Sequence, residues 1–146
     1  MKRLETVQRI IIHHSERDLD FPEHIRYRHT QTRGWEDIGY HYLIGNGKYF
    51  TTDGKIYAGR HTAFQGAHVY GENHDSLSIA LIGNLDVSTP STKQIKALRA
   101  LTQTLLKKHG LTPNNVAGHE EVTNTHKTCP GKHVDLDTLR ETLRKT

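Results

Sequence analysis

SLSIALIGNLDVSTPSTKQIKALRALTQTLLKKHG, residues 76–110, joins two kinds of periodicity in one run. Residues 76–83 mix alternation with an apolar stretch, which suits a central strand. The segment that follows has apolar residues at helical spacing, a Ser/Thr-rich start and a glycine stop at Gly110, so a long helix is expected there. A strand that leads into an amphipathic helix points to an α/β domain.

Upstream, VQRIIIHHS (7–15) is rich in β-branched residues and is followed by the polar breaker ERDLD, so it reads as a buried strand. A helix is expected from about Pro22 to Thr32, with Asp20 or Phe21 near its start and Pro22 in its first turn, ending before Gly34. GYHYLI, KYFTT and KIYAGR are separated by the turn-forming GNG and DG, which predicts a strand and a hairpin over residues 39–60. Downstream, Asn115 to Gly118 reads as one more short strand. VDLDTLRETLRKT (134–146) reads as a terminal amphipathic helix with Asp135 or Asp137 near its N-terminus. The expected fold is a single α/β domain spanning 1–146, with a central mixed β-sheet flanked by helices. No repeat, linker or low-complexity tract interrupts it.

A chain of 146 residues suits one domain with a real core. With 34% hydrophobic and 25% charged residues and a mean hydropathy of −0.71, it has no apolar run near the ~20 residues of a membrane span. The apolar run near the N-terminus is only Ile10–Ile12 and no small-residue cleavage site follows, so synthesis in the cytoplasm without a signal peptide is expected. A single cysteine cannot form an internal disulfide, which agrees with that compartment. The net charge of +4 and pI near 9.2 favour an acidic partner: nucleic acid, a membrane surface or an anionic wall polymer. The basic residues are spread out, with no arginine-rich block and few aromatics between them, which disfavours nucleic-acid binding as the main role.

The chemistry-bearing residues fall at predicted strand ends. His13 closes the first strand, His119 follows the short late strand, and Cys129 lies in a loop bounded by proline and glycine. Two imidazoles and a thiolate suit a zinc site with its fourth tetrahedral position open, whereas a closed structural site wants four protein ligands and usually paired cysteines. Blander readings stand beside this one. Neighbours on a strand point to opposite faces, so His13 and His14 also fit one core and one surface histidine; Cys129 also fits a small buried hydrophobe. A third reading makes Cys129 a nucleophile with His119 as its base, but it leaves His13 and Lys127 without a role.

Several ordered blocks together carry a specific resemblance: IIIHHS (10–15), GWEDIGYHYLI (34–44), DGKIYAGR (53–60), GAHVYGENHDSLSIALIG (66–83), GHEEV (118–122) and KTCPG (127–131). From about Ile10 to Leu136 the chain resembles the zinc N-acetylmuramoyl-L-alanine amidases of the bacteriophage lysozyme type, a family that includes the peptidoglycan recognition proteins. The resemblance implies Zn2+ on His13, His119 and Cys129, catalytic roles for Tyr40 and Lys127, and substrate contacts by His68, Asn73 and Arg60. It also implies peptidoglycan as partner and hydrolysis of the amide between N-acetylmuramic acid and L-alanine, by a monomer that acts on the bacterial cell wall.

These roles have a physical basis. Zinc lowers the pKa of a bound water toward ~7, making an attacking hydroxide available. Tyr40, expected in a strand, would orient that water or donate to the developing oxyanion. Lys127 and Cys129 stand two apart in a segment expected to be extended before Pro130, so both side chains face one side. Without the resemblance, a tyrosine packed in the sheet and a lysine solvated on a loop are the ordinary readings.

Nine residues separate His119 from Cys129, and this longer loop is similar to that of the cytosolic amidases that recycle anhydro-muropeptides. Those enzymes place an acidic catalyst on the central strand and an aspartate at the third ligand. This chain has SLSIALIG, Cys129 and Tyr40 instead, so a phage-type endolysin is the expected role. A non-catalytic peptidoglycan-binding module is the competing class; such proteins typically lose the thiol ligand.

Overall fold

A computed structural model describes residues Met1–Thr146. Five strands form one sheet: β1 (Arg9–His14), β2 (Tyr42–Ile44), β3 (Ile56–Ala58), β4 (Ser76–Leu81) and β5 (Val116–Gly118), in the order β3-β2-β4-β1-β5. The pairs β2–β4, β4–β1 and β1–β5 are parallel, and only the edge strand β3 is antiparallel. The helices are α1 (Pro22–Tyr27), continued by a π-helical turn over Arg28–Thr32, then α2 (Thr92–His109), α3 (His119–Val122) and α4 (Leu136–Arg144). No helix is long and apolar enough to cross a membrane.

The two central strands, β1 and β4, are buried on both faces because helices cover both sides of the sheet. Ile10, Ile12, Leu77, Ile79 and Leu81 pack with Leu98, Leu105 and Leu106 of α2 and Leu136, Leu139 and Leu143 of α4. A smaller cluster of Ile25, Ile38, Leu43 and Ile82 lies toward α1. The α2 start is a capping box in which Gln94 N–H donates to Ser91 Oγ and Ser91 N–H to Gln94 Oε1. Gln94 Nε2 also donates to the carbonyls of Ile44 and Ile82, tying the helix start to the sheet. Gly110, at φ 65, ends the helix in the left-handed conformation that favours glycine. Asp135 caps α4 by accepting from Thr138 N–H.

Two expectations need correction. KYFTT (48–52) is not a strand: β2 pairs directly with β3, Ile44 opposite Ile56, and residues 45–55 form their connection. Gly47 and Gly54 are both left-handed there, and Asn46 Oδ1 accepts from Lys48 N–H, so the backbone turns instead of extending. Tyr40 lies two residues before β2 and not within it. The short helix α3 was not expected from the sequence.

Parallel pairing sets the geometry of the site. Ile12 on β1 faces Gly118 on β5, so the next residues, His13 and His119, emerge side by side at the carboxyl ends of adjacent strands. That edge is where open α/β sheets bind ligands.

Candidate metal centre and cleft

His13, His119 and Cys129 each direct one ligand atom to a common point, all within 4.8 Å of one another. His13 and Cys129 are buried, and Nδ1 of His13 lies 3.5 Å from the Cys129 sulfur. His119 begins α3, and its ring centroid is 5.0 Å from that of His13. At Gly118, just before it, an added Cβ would stand 2.6 Å from Leu136 and 2.8 Å from Pro130, so the close approach of the Cys129 loop requires glycine there.

His14 points away from His13 and holds the cysteine-bearing loop. Its Nδ1 accepts from Leu85 N–H at 3.0 Å, which leaves Nε2–H to donate to the Thr128 carbonyl at 2.8 Å. The Thr128 hydroxyl donates to Asp86, and Glu120 N–H donates to the Cys129 carbonyl. Cys129 is thus carried to His13 across more than a hundred residues of sequence.

Burial dominates the electrostatics. It keeps His13 well below the usual histidine range, helped by the neighbouring His68 and His119, and pushes the Cys129 thiol up to about 12. Such a thiol is not ionised at neutral pH unless a cation joins it, which argues against an autonomous nucleophile. Two neutral imidazoles and a buried thiol on one point fit a divalent metal ion that favours nitrogen and sulfur, because the ion supplies the charge the buried thiolate needs.

Above these three side chains opens a cleft of about 230 Å³. Tyr40, with its ring 5.2 Å from that of His13, and Lys127 both line it, so the structure gathers these two sequence candidates with the three candidate ligands. Burial raises the Tyr40 pKa, which keeps its hydroxyl protonated. Lys127 is exposed, its ammonium 3.5 Å from Glu16 Oε2. Arg17, Arg28 and Arg33 also line the cleft, and Glu16 is its only carboxylate. Arg28 is held in a bidentate pair with the buried Asp20, whereas Arg33 lies over the Trp35 ring.

The expected substrate contacts are placed differently. His68 lines the cleft, but its Nδ1 is 2.9 Å from His13 Nε2 and its Nε2 is 3.1 Å from Ser76 Oγ. Arg60 and Asn73 line a neighbouring groove that shares Trp35 and Ala67 with the cleft. The buried Arg60 guanidinium donates to the carbonyls of Asp37, Ile38 and Gln65, and Asn73 Oδ1 accepts from the amides of His68 and Val69. Arg60 and Asn73 Oδ1 thus hold neighbouring backbone, whereas His68 is held between two side chains.

Sequence reasoning missed Glu16 and the clamp formed by His14. The histidine doublet on a strand carried a signal for the clamp, since one of the two must face away from the ligands. Glu16 has no sequence signal: its place follows from a left-handed backbone, φ 70, just beyond β1.

Residues 3–132 match the family described as N-acetylmuramoyl-L-alanine amidase. The chain is 34% identical over 137 residues to a peptidoglycan-recognition protein of Drosophila simulans, covering 88% of this chain and 70% of that protein. Among solved structures, N-acetylmuramoyl-L-alanine amidase LysC from Clostridium intestinale superposes with a TM-score of 0.85 at 31% identity, covering 95% of this chain and 86% of that one. The Ph2119 endolysin from a Thermus scotoductus bacteriophage superposes with a TM-score of 0.80 at 29% identity, covering 97% and 87%. With its fold, its gathered ligand atoms and a family match over most of its length, this chain belongs to the N-acetylmuramoyl-L-alanine amidase family.

Proposed function

We propose that this chain is a monomeric, single-domain zinc amidase that hydrolyses the bond between N-acetylmuramic acid and L-alanine in peptidoglycan, acting on the cell wall as a phage-type endolysin. The observation that carries the reading is the convergence of His13, His119 and Cys129 beneath a cleft that Tyr40 and Lys127 also line. The likeness to LysC and to the Ph2119 endolysin supports the wall-degrading role.

His13, His119 and Cys129 would hold the ion. Bound zinc supplies Lewis acidity, which acidifies water and polarises a carbonyl. The protein's own part is to orient the scissile amide and to receive the charge that develops on its oxygen. Tyr40, kept protonated by burial, donates a hydrogen bond there, and Lys127, which also lines the cleft, brings positive charge. Both effects grow as the carbonyl oxygen gains charge, so they act on rate more than on ground-state binding. Arg17 and Arg33 make the mouth of the cleft cationic, which suits the carboxylates of a stem peptide.

Recognition without turnover is the second reading, favoured by the identity to a peptidoglycan-recognition protein. Elemental analysis of the purified protein, together with the new L-alanine N-termini it releases from sacculi, separates the two. Near-stoichiometric zinc with new termini is the expected result. Wall binding without such termini identifies a recognition module, and termini released by metal-free protein overturn the zinc assignment.

A further inference from the structure

Ser76, the first residue of β4, is fully buried, and its hydroxyl meets two partners. Its Oγ is 2.8 Å from the carbonyl oxygen of Glu72 and 3.1 Å from Nε2 of His68. A carbonyl only accepts, so the single hydroxyl proton goes to Glu72 and the Ser76 oxygen accepts from His68 Nε2–H. A neutral imidazole protonated at Nε2 carries its lone pair on Nδ1, and His68 Nδ1 lies 2.9 Å from Nε2 of His13. His13 must therefore donate from Nε2, which leaves its own lone pair on Nδ1, the nitrogen that faces the Cys129 sulfur.

We infer that His68 is a positioning residue: with Ser76 and the Glu72 carbonyl it fixes His13 as the Nε2–H tautomer, so that the Nδ1 lone pair is presented to the metal position. The far end of this relay is anchored to the strand that carries His13. Arg9, the first residue of β1, donates to the same Glu72 carbonyl at 3.3 Å and pairs with the carboxylates of Glu72 and Asp75. Both ring nitrogens of His68 are engaged, so it has no polar atom left to offer a substrate. The inference rests on the metal-centre reading, and its test is built to separate the two.

Long-range 1H–15N correlations of the imidazoles at pH 7.5 report the tautomers directly, with and without zinc. His13 and His68 are both expected as Nε2–H in zinc-free protein, and His13 is expected to stay so when zinc is added. Zinc affinity, measured by competition with a chromophoric chelator, should fall ~10–100-fold in His68→Phe, the usual effect of removing a partner of a metal-binding histidine. It should fall less in Ser76→Ala, and the double variant should bind no more weakly than His68→Phe alone. Thermal melting in chelator reports whether each variant folds; should His68→Phe not fold, the tautomers and Ser76→Ala decide. A Nδ1–H tautomer at His13, or a folded His68→Phe with wild-type zinc affinity and only a raised KM, overturns the inference. Wild-type protein that binds no zinc but shows the expected tautomers overturns the metal centre and leaves the relay standing.

Discussion

The Glu16 carboxylate lies 3.5 Å from the Lys127 ammonium and joins the segment after β1 to the segment that carries Cys129. The pair is partly exposed, so it adds little to stability, but it restrains a long flexible side chain beside the cleft. Glu16 adopts φ 70, a left-handed conformation that is sterically unfavourable for a residue with a side chain.

Replacing Glu16 should therefore divide stability from rate. In Glu16→Gly the steric strain, ~1 kcal/mol, is relieved and offsets glycine's greater unfolded-state entropy, so the melting temperature should not fall. Turnover on sacculi should drop several-fold because Lys127 is released. A variant that melts lower yet turns over normally contradicts the restraint.

In the proposed mechanism, Tyr40→Phe and Lys127→Ala remove groups that would act on the reacting carbonyl and not on the metal. Each should slow release of L-alanine termini by ~10²–10³, with zinc content and pelleting with the wall near normal. Wild-type cleavage rates in both variants would remove these residues from the mechanism.

His13→Ala should lose zinc and rate together, since two protein ligands hold the ion poorly. Cys129→Asp should retain some of both, because a carboxylate can replace a thiolate on zinc. If Cys129→Asp keeps zinc but has no activity at all, a nucleophilic role for the cysteine gains ground.

Acid should destabilise the zinc-free protein. Burial lowers His29 and His41 to about 4 from the usual value near 6.5, so between those values the unfolded chain binds more protons than the folded one. Their contribution is fully present above pH ~6.5, declines as pH falls and is gone by about 4. Urea midpoints in chelator, measured from pH 7.5 down to 4.5, should fall steadily; a flat profile contradicts buried neutral histidines.

Thr102 lies within α2, and its buried hydroxyl has no hydrogen-bond partner. Thr102→Val keeps the shape and removes the orphaned group, so it should stabilise by ~1 kcal/mol and raise the melting temperature by a few degrees. A lower melting temperature would show that the hydroxyl has a partner after all.

Much of this molecule follows from local pattern. The β-branched run before His13, the long helix bounded by Ser91 and Gly110, and the terminal helix capped by Asp135 were legible because burial periodicity and capping chemistry act over a few residues. The grouping of His13, His119 and Cys129 was legible by type, since they stand at element ends and match a known set of blocks. KYFTT misled because its composition suits a strand while Gly47 and Gly54 turn the backbone.

Partnership was decided only in three dimensions. That His13 stands beside His119 depends on parallel pairing of β1 with β5, and that Cys129 reaches them depends on the clamp of His14 on Thr128. The resemblance implied substrate contacts for His68 and Arg60; the fold sets their polar atoms against Ser76, His13 and three backbone carbonyls. Sequence alone determined which groups this protein brings to its chemistry, because propensity and hydrophobic period are local. Only the tertiary structure decided which groups remain free to act, because a buried donor or acceptor takes whichever partner the fold sets within ~3 Å.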